Sequence, residues 1–290
     1  MAFLSYLIGG LGLGSVYAII ALGYSMVYGI AKMLNFAHGD IIMVGAFVTY
    51  FAMSSYGLPV ILAVILSVIV CTVLGVVIER LAYKPLRQAS SLSVLITAIG
   101  VSYFLQNAAM LICGTDTKIF PTVLKGSIKF GDLSIPYLTL ITILTCIVIM
   151  IVLTLFINKT KTGSAMRACS EDKGASALMG INVNRIISIT FAIGSGLAAI
   201  AAVLLCATYP SVYPTLGSMP GIKAFTAAVF GGIGSIPGAF LGGLLLGVIE
   251  NMSRAYISTQ LSDAIVFLVL IIVLLIKPTG LLGKKVNVKV

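Results

Sequence analysis

Long apolar runs follow one another along this 290-residue chain and leave little polar sequence between them. They occupy residues 3–30, 41–55, 59–78, 92–112, 137–157, 186–207, 222–234 with 237–250, and 262–276. A hydrocarbon core ~30 Å thick is crossed by ~20 apolar residues of helix. Lipid offers no partner to backbone N–H and C=O groups, so such runs cross as helices. Charged residues make up 9% of the chain, against about 25% in soluble domains. The expected fold is all-α: a polytopic integral membrane protein, one transmembrane domain over 1–290, with about eight or nine crossing helices. The first charge is Lys32, so the N-terminus lacks the basic start of a signal peptide and the first run is retained as structure. That run is long and rich in glycine (Gly9, Gly10, Gly12, Gly14), with room for an interfacial piece before a span.

The formal charge of +10 would point to nucleic acid in a soluble chain. Here twelve of the eighteen Lys and Arg residues sit in three loops: 79–90, 158–185 and the tail from Lys277 with Lys284, Lys285 and Lys289. The span count puts all three on one side, which the positive-inside rule makes cytoplasmic. Loop 113–136 then lies outside, with Asp116 and Asp132 partly balancing its lysines, and so does the N-terminus. No nucleic-acid partner is expected; the bilayer is. The five cysteines have no CxxC spacing and fit as small packing residues. One His and eight acids, all assignable to loops or span ends, form no catalytic constellation and no metal site. The same scarcity of carboxylates within spans leaves little from which to build an ion-coupling site.

Asn158–Arg185 is a polar island between two apolar runs. Thr162 and Asp172 are placed to cap two short helices, and Gly180 stands where a left-handed C-terminal residue belongs. Small residues (Gly163, Ala165, Ala168, Gly174, Ala175, Ala177) are expected on the exposed faces, open to close approach by another protein.

Two further stretches interrupt the apolar pattern. Segment 35–40, NFAHGD, is either a surface turn or a broken helix lining a cavity; Lys32 and Asp40 beside it favour the turn. Pro210–Gly243 carries four prolines among many glycines, as discontinuous or closely packed helices do. A weak internal repeat links them: Gly14, Ser15 and Ala18 precede the first break, and Gly194, Ser195 and Ala198 the second. Glu250 and Asp263, with Arg254 between, read as solvated charges at the outer face.

NFAHGD at 35–40, the pattern TG-x-x-x-RA-x-S-x-D from Thr162 to Asp172 continuing through Gly180, and FGGIGSIPGAFLGG at 230–243 together resemble the permease subunits of branched-chain amino acid ABC importers. The match is to the shorter, LivH-type subunit and runs from about Gly9 to Leu282. The resemblance implies a multi-pass protein of the bacterial cytoplasmic (inner) membrane that works by alternating access. Its implied partners are a second homologous permease, two cytoplasmic ATP-binding subunits and an extracytoplasmic substrate-binding protein. By the same resemblance 158–185 is the loop coupled to the ATPases, through Thr162, Gly163, Arg167, Ala168, Ser170, Asp172, Ala177, Leu178 and Gly180. The chain has no GxxxxGK[ST] loop, so ATP is bound by the partners, and this subunit is neither an enzyme nor a cofactor carrier. Asn35, His38, Gly39, Asp40, Ser218, Gly221 and Gly234 are the residues expected along the translocation path. Gly234→Leu is expected to abolish uptake while sparing assembly, and Asp172→Arg to uncouple ATP hydrolysis or prevent assembly. The alternatives are a urea or short-chain amide importer of the same architecture, and an ATP-independent channel or secondary transporter.

Overall fold

The computed structural model describes residues 2–130 and 133–283. Lys284, Lys285 and Lys289 of the expected cytoplasmic tail, and Asp132 of the outer loop, lie outside the described residues. The helices are α1 (Ala2–Ala31), α2 (His38–Ser54), α3 (Val60–Ile78), α4 (Ser91–Cys113), α5 (Tyr137–Lys159), α6 (Lys161–Glu171), α7 (Lys173–Leu178), α8 (Val183–Thr208), α9 (Ser218–Gly231), α10 (Ile236–Tyr256) and α11 (Ser262–Ile276). Four short strands, β1 (Lys118–Ile119), β2 (Ser127–Phe130), β3 (Leu133–Pro136) and β4 (Ser211–Val212), complete the described elements.

Local chemistry sets many of the boundaries. Ser90 caps α4 by accepting from Ser93 N at 3.2 Å, and Ser235 caps α10 by accepting from Gly238 N at 3.2 Å. Pro59 and Pro136, both extended, precede α3 and α5, where a fixed φ and no N–H are tolerated. Beyond Ile78 the chain widens into a π turn, Glu79–Tyr83, and then tightens into a 3-10 turn, Lys84–Leu86. Run 3–30 is one uninterrupted helix of 30 residues, not an interfacial piece followed by a span. At 1.5 Å per residue it is ~45 Å long and can tilt or project beyond the hydrocarbon.

Among the described residues six helices are long and apolar enough to cross a membrane: α1, α3 with its extension, α4, α5, α8 and α10. α2, α9 and α11, of 17, 14 and 15 residues, are shorter. In lipid, helices gain little from hiding apolar surface, so close packing of small residues holds them together. α1 runs antiparallel along α10 over Gly10, Gly14 and Ala18 on one side and Gly243 and Gly247 on the other. A Cβ on Gly14 would lie 2.7 Å from the Leu244 carbonyl oxygen, and one on Gly247 would overlap the Gly14 backbone.

The same contact is repeated with the halves exchanged. α8 packs along α3, where a Cβ on Gly75 would overlap Ser195. α9 packs on α1 as α2 packs on α8, and α2–α3 matches α9–α10. The contacts therefore relate α1, α2, α3 to α8, α9, α10, in register with the Gly-Ser-x-x-Ala echo. α1 and α8 are largely buried, while α3, α4 and α5 form an outer layer with apolar faces such as Ile61, Phe104 and Val152 exposed, as lipid contact requires.

Sidedness is consistent with the charges. β1, after α4, pairs antiparallel with β4, after α8, and β2 pairs with β3 between α4 and α5. The strands thus collect on the outer side. On the other side, Leu281 and Leu282 N–H groups donate at 2.9 Å to the carbonyls of Phe230 and Gly231, tying the segment after α11 to the end of α9.

Candidate functional site

The two breaks meet. After Ala31 the backbone turns at Lys32, a non-glycine residue at φ 56°, and α2 starts only at His38. Asn35, His38 and Asp40 are buried, so NFAHGD is not the surface turn that its flanking charges favour. The burial is made possible by residues distant in sequence. Tyr83 Oη donates to Asn35 Oδ1 at 2.8 Å. Gln106 Nε2 of α4 donates to Asp40 Oδ1 at 2.8 Å and also lies 3.3 Å from Ser218 Oγ, at the start of α9. One amide therefore joins α2, α4 and α9. Gly39 meets Gly217 and Gly221 backbone to backbone; a Cβ on Gly39 would lie 2.5 Å from the Gly217 carbonyl oxygen.

His38 fits against Gly23 of α1, which also faces the Gly194 carbonyl near the middle of α8, with its ring edge-on to Tyr24 at 4.6 Å. A Cβ on Gly23 would stand 2.7 Å from His38 Nε2, so only glycine leaves room for the imidazole. His38 Nε2 and Asn35 Nδ2 are both buried and have no hydrogen-bond partner among the described residues. The starts of α2 and α9 thus converge beside two unsatisfied polar atoms deep in the bundle, with the N–H groups of His38, Asp40 and Ser218 donating at 3.1 Å to the carbonyls of Asn35, Ala37 and Thr215 in the turns before them.

Of the residues expected along the path, His38, Gly39, Asp40, Ser218 and Gly221 are gathered here, with Asn35 three residues before His38. Gly234 is elsewhere. It forms the turn between α9 and α10 at φ +90°, and its N–H donates to Ser25 Oγ at 2.9 Å. Gly231, the end of α9, is ~15 Å along that helix from Gly221. Because a side chain at φ +90° strains the backbone, Gly234→Leu tests that turn rather than the path.

The polar island forms the two short helices α6 and α7. The first cap is Thr160, not Thr162: Thr160 Oγ1 accepts from Gly163 N at 2.9 Å. Asp172 caps α7, its Oδ1 accepting from Ala175 N at 3.0 Å, and Gly180 takes φ +82° after Met179. Gly163 is buried against the carbonyls of Phe156 and Ile157 and so is not on the exposed face; Ala165 and Ala168 are half-buried. Gly174, Ala175 and Ala177 are exposed. Arg167 Nη1 turns back to the Ile157 carbonyl and to Asn158 Oδ1, each at 2.9 Å. Lys173 Nζ donates to the last carbonyl of α1, Ala31, at 2.5 Å. Burial first, then the Arg87 and Lys32 cations, lower the pKa of that ammonium. Ser170 Oγ donates to the Arg167 carbonyl at 2.7 Å, and Thr162 is half-buried. The tip carries Leu178 at 90% exposure and Met179 at 82%, an apolar pair on a polar loop.

The family profile described as branched-chain amino acid transport system / permease component matches residues 6–274. The chain belongs to that permease family. Among curated relatives it is 48% identical to the high-affinity branched-chain amino acid transport system permease protein BraD of Pseudomonas aeruginosa, over 97% of this chain and 96% of that one. It is 43% identical to the permease protein LivH of Escherichia coli over the same shares. It is 26% identical, over 88% of its length and 78% of the relative's, to an autoinducer 2 import permease, LsrD, of Salmonella paratyphi B. The structure of PsaBC from Streptococcus pneumoniae in complex with Fab shares its fold, with a TM-score of 0.50 and 15% identity over 94% of this chain and 92% of that one.

This permease also holds charges that its sequence places at a solvated outer face. Glu250 is fully buried in α10. Lys223 Nζ of α9 lies 2.8 Å from Glu250 Oε1 and 2.6 Å from Asp263 Oδ1 of α11, and Arg254 pairs with the same Glu250 oxygen. Glu250 and Asp263 thus belong to an ionic cluster joining three helices. Gln106, Tyr83 and Tyr24 are site residues that sequence reasoning missed. Gln106 alone carried a signal, an amide within the apolar run 92–112, since a polar group in a span needs a partner.

Proposed function

We propose that this permease lines half of the path of an ATP-driven importer for leucine, isoleucine and valine in the bacterial inner membrane. The near full-length identity to permeases named for branched-chain amino acid transport carries that reading. A second homologous permease would supply the other half, an extracytoplasmic binding protein would deliver the substrate, and two cytoplasmic subunits would bind and hydrolyse ATP. This chain takes no cofactor of its own.

The geometry supports a division of labour. The facing N-termini of α2 and α9, with Gly39, Gly217 and Gly221 in backbone contact, put small residues, the positive ends of two helices and two unpartnered polar atoms beside one another. Such a place can receive the carboxylate of an amino acid in passing. Region 158–185, with Leu178 and Met179 projecting, is the coupling loop: a groove on an ATPase would bury the pair. Lys173 on α1 and Arg167 on α5 would then carry a loop displacement into the spans, since each side chain grips a helix end. ATP binding shifts the populations of the outward-open and inward-open states only so far as the ATPases grip the loop differently in the two.

The test is uptake of labelled leucine, with urea in parallel, in cells lacking only this gene and in cells with it restored. Restored leucine uptake that survives collapse of the proton gradient but stops on ATP depletion is the expected result. Restored urea uptake would change the substrate and keep the architecture; gradient-driven uptake would overturn the proposal.

A further inference from the structure

A cavity of about 600 Å³ opens where the inner end of α3 and its extension meets the start of α8. Three cations line it: Arg80, Lys84 and Arg185. Among the described residues none of them has an acidic partner, because Glu79, the acid nearest in sequence, is buried and occupied by Arg87 and by Ser188 Oγ at 2.6 Å. Asn184, also on the cavity wall, is held by Arg87. One or two turns further along the same helices the lining is apolar, formed by Val76, Ile189 and Ala192, with Val73 and Val77 of α3 exposed beside it.

We propose that this cavity binds the phosphate headgroup of an anionic phospholipid from the inner leaflet, with an acyl chain lying along the exposed face of α3. The charge is concentrated and uncompensated: Arg80, Lys84 and Arg185 share one cavity, while the nearby Arg87 is spent on Glu79. Its depth is right, since it stands at the cytoplasmic end of two spans, where positive loops meet anionic headgroups. It is also amphipathic in the sense a lipid requires: cations at the mouth, aliphatic side chains further along α3. A free phosphate or an acidic residue of a soluble subunit would use the cations and leave the apolar wall without a role. The site adjoins Asn182, which caps α8 directly after the proposed coupling loop. A bound lipid would therefore brace the hinge between that loop and α8.

The test counts retained lipids by native mass spectrometry on the assembled importer, purified from detergent containing phosphatidylglycerol and phosphatidylcholine of matched acyl chains. Wild type is expected to retain phosphatidylglycerol over phosphatidylcholine. Arg80→Gln and Lys84→Gln should each lower retention about fivefold, and Arg80→Gln/Lys84→Gln/Arg185→Gln further, while the outer-loop variant Lys125→Gln/Lys129→Gln changes nothing. Equal retention of the two lipids, or wild-type retention in both single variants, overturns the proposal. Displacement of the lipid by millimolar inorganic phosphate makes the site one for free anions and overturns the lipid assignment. Loss of the ATPase subunits from the variants with lipid unchanged assigns the cations to protein docking and overturns it too.

Discussion

Glu250, towards the outer end of α10, and Glu79, at the inner end of α3, occupy matching places in the exchanged packing of the two halves, and both are fully buried. Their surroundings differ. Glu250 shares a cluster with Lys223, Arg254 and Asp263, two acids against two cations, drawn from α9, α10 and α11. Glu79 has one cation, Arg87, and the Ser188 hydroxyl, while Arg80 and Lys84 beside it point to the cavity instead. The outer cluster is self-neutralising, with Asp263 at its rim 40% exposed; the inner one leaves positive charge over. Burial of charge without compensation is what a membrane interior tolerates least. The outer cluster therefore fastens helices, and the inner one fastens α3 to α8 while presenting charge to something outside the chain.

Removing the outer cluster's central cation should give the largest effect. Lys223→Met leaves Glu250 facing only Arg254 and frees Asp263, and breaking such a buried pair costs about 3–5 kcal/mol. The expected result is a lower melting temperature of the purified complex and reduced insertion. Neutralising the acids as well, in Lys223→Met/Glu250→Gln/Asp263→Asn, should recover most of the loss. If the triple variant melts no higher than the single one, the lysine acts by packing and the cluster is not the fastening.

Sequence reasoning reached the spans but not their interior pairings, and the two breaks show why. An apolar run declares itself locally, because lipid imposes its demand residue by residue; even the short helices α9 and α11 stand close to their expected places. The cap at Asp172 and the left-handed Gly180 are local too. Thr160 displaced Thr162 because two hydroxyls two residues apart are equally able to cap, and the end of α5 decides between them. NFAHGD read as a turn because Lys32 and Asp40 flank it, and nothing nearby offers Asp40 a donor. Gln106, 66 residues on, does. Lys223 finds Glu250 and Asp263 across 27 and 40 residues. Burial of a polar residue is decided by partners that only the assembled fold brings within reach.

A middle-sized effect tests the inner member of the pair. Glu79→Gln removes the charge but keeps the shape, and Ser188 can still donate to the amide oxygen. Arg87, whose side chain retains 16% exposure, then loses its carboxylate yet can turn towards cytoplasmic water. A hydrogen bond to a charged group contributes about 1.5–3 kcal/mol, so the melting temperature should fall less than in Lys223→Met. An equal or larger fall would mean that Glu79 is as deeply committed as Glu250, and the distinction between a self-neutralising outer cluster and an inner one with charge left over would not stand.

The smallest effect belongs to Arg254, and it sharpens the outer cluster's hierarchy. Its side chain keeps 31% exposure and reaches Glu250 from one turn further along the same helix. An ion pair so placed contributes about 0–1 kcal/mol, because water already solvates the guanidinium and no second helix is joined. Lys223 instead links α9 to both α10 and α11. Arg254→Gln should therefore leave melting within about 1 kcal/mol of wild type, with uptake preserved. Adding it to Lys223→Met should deepen the loss well beyond its own single effect, since Glu250 would then be stripped of its last cation. Strictly additive losses would show that Arg254 does not share Glu250 with Lys223, and that the cluster works as two separate pairs.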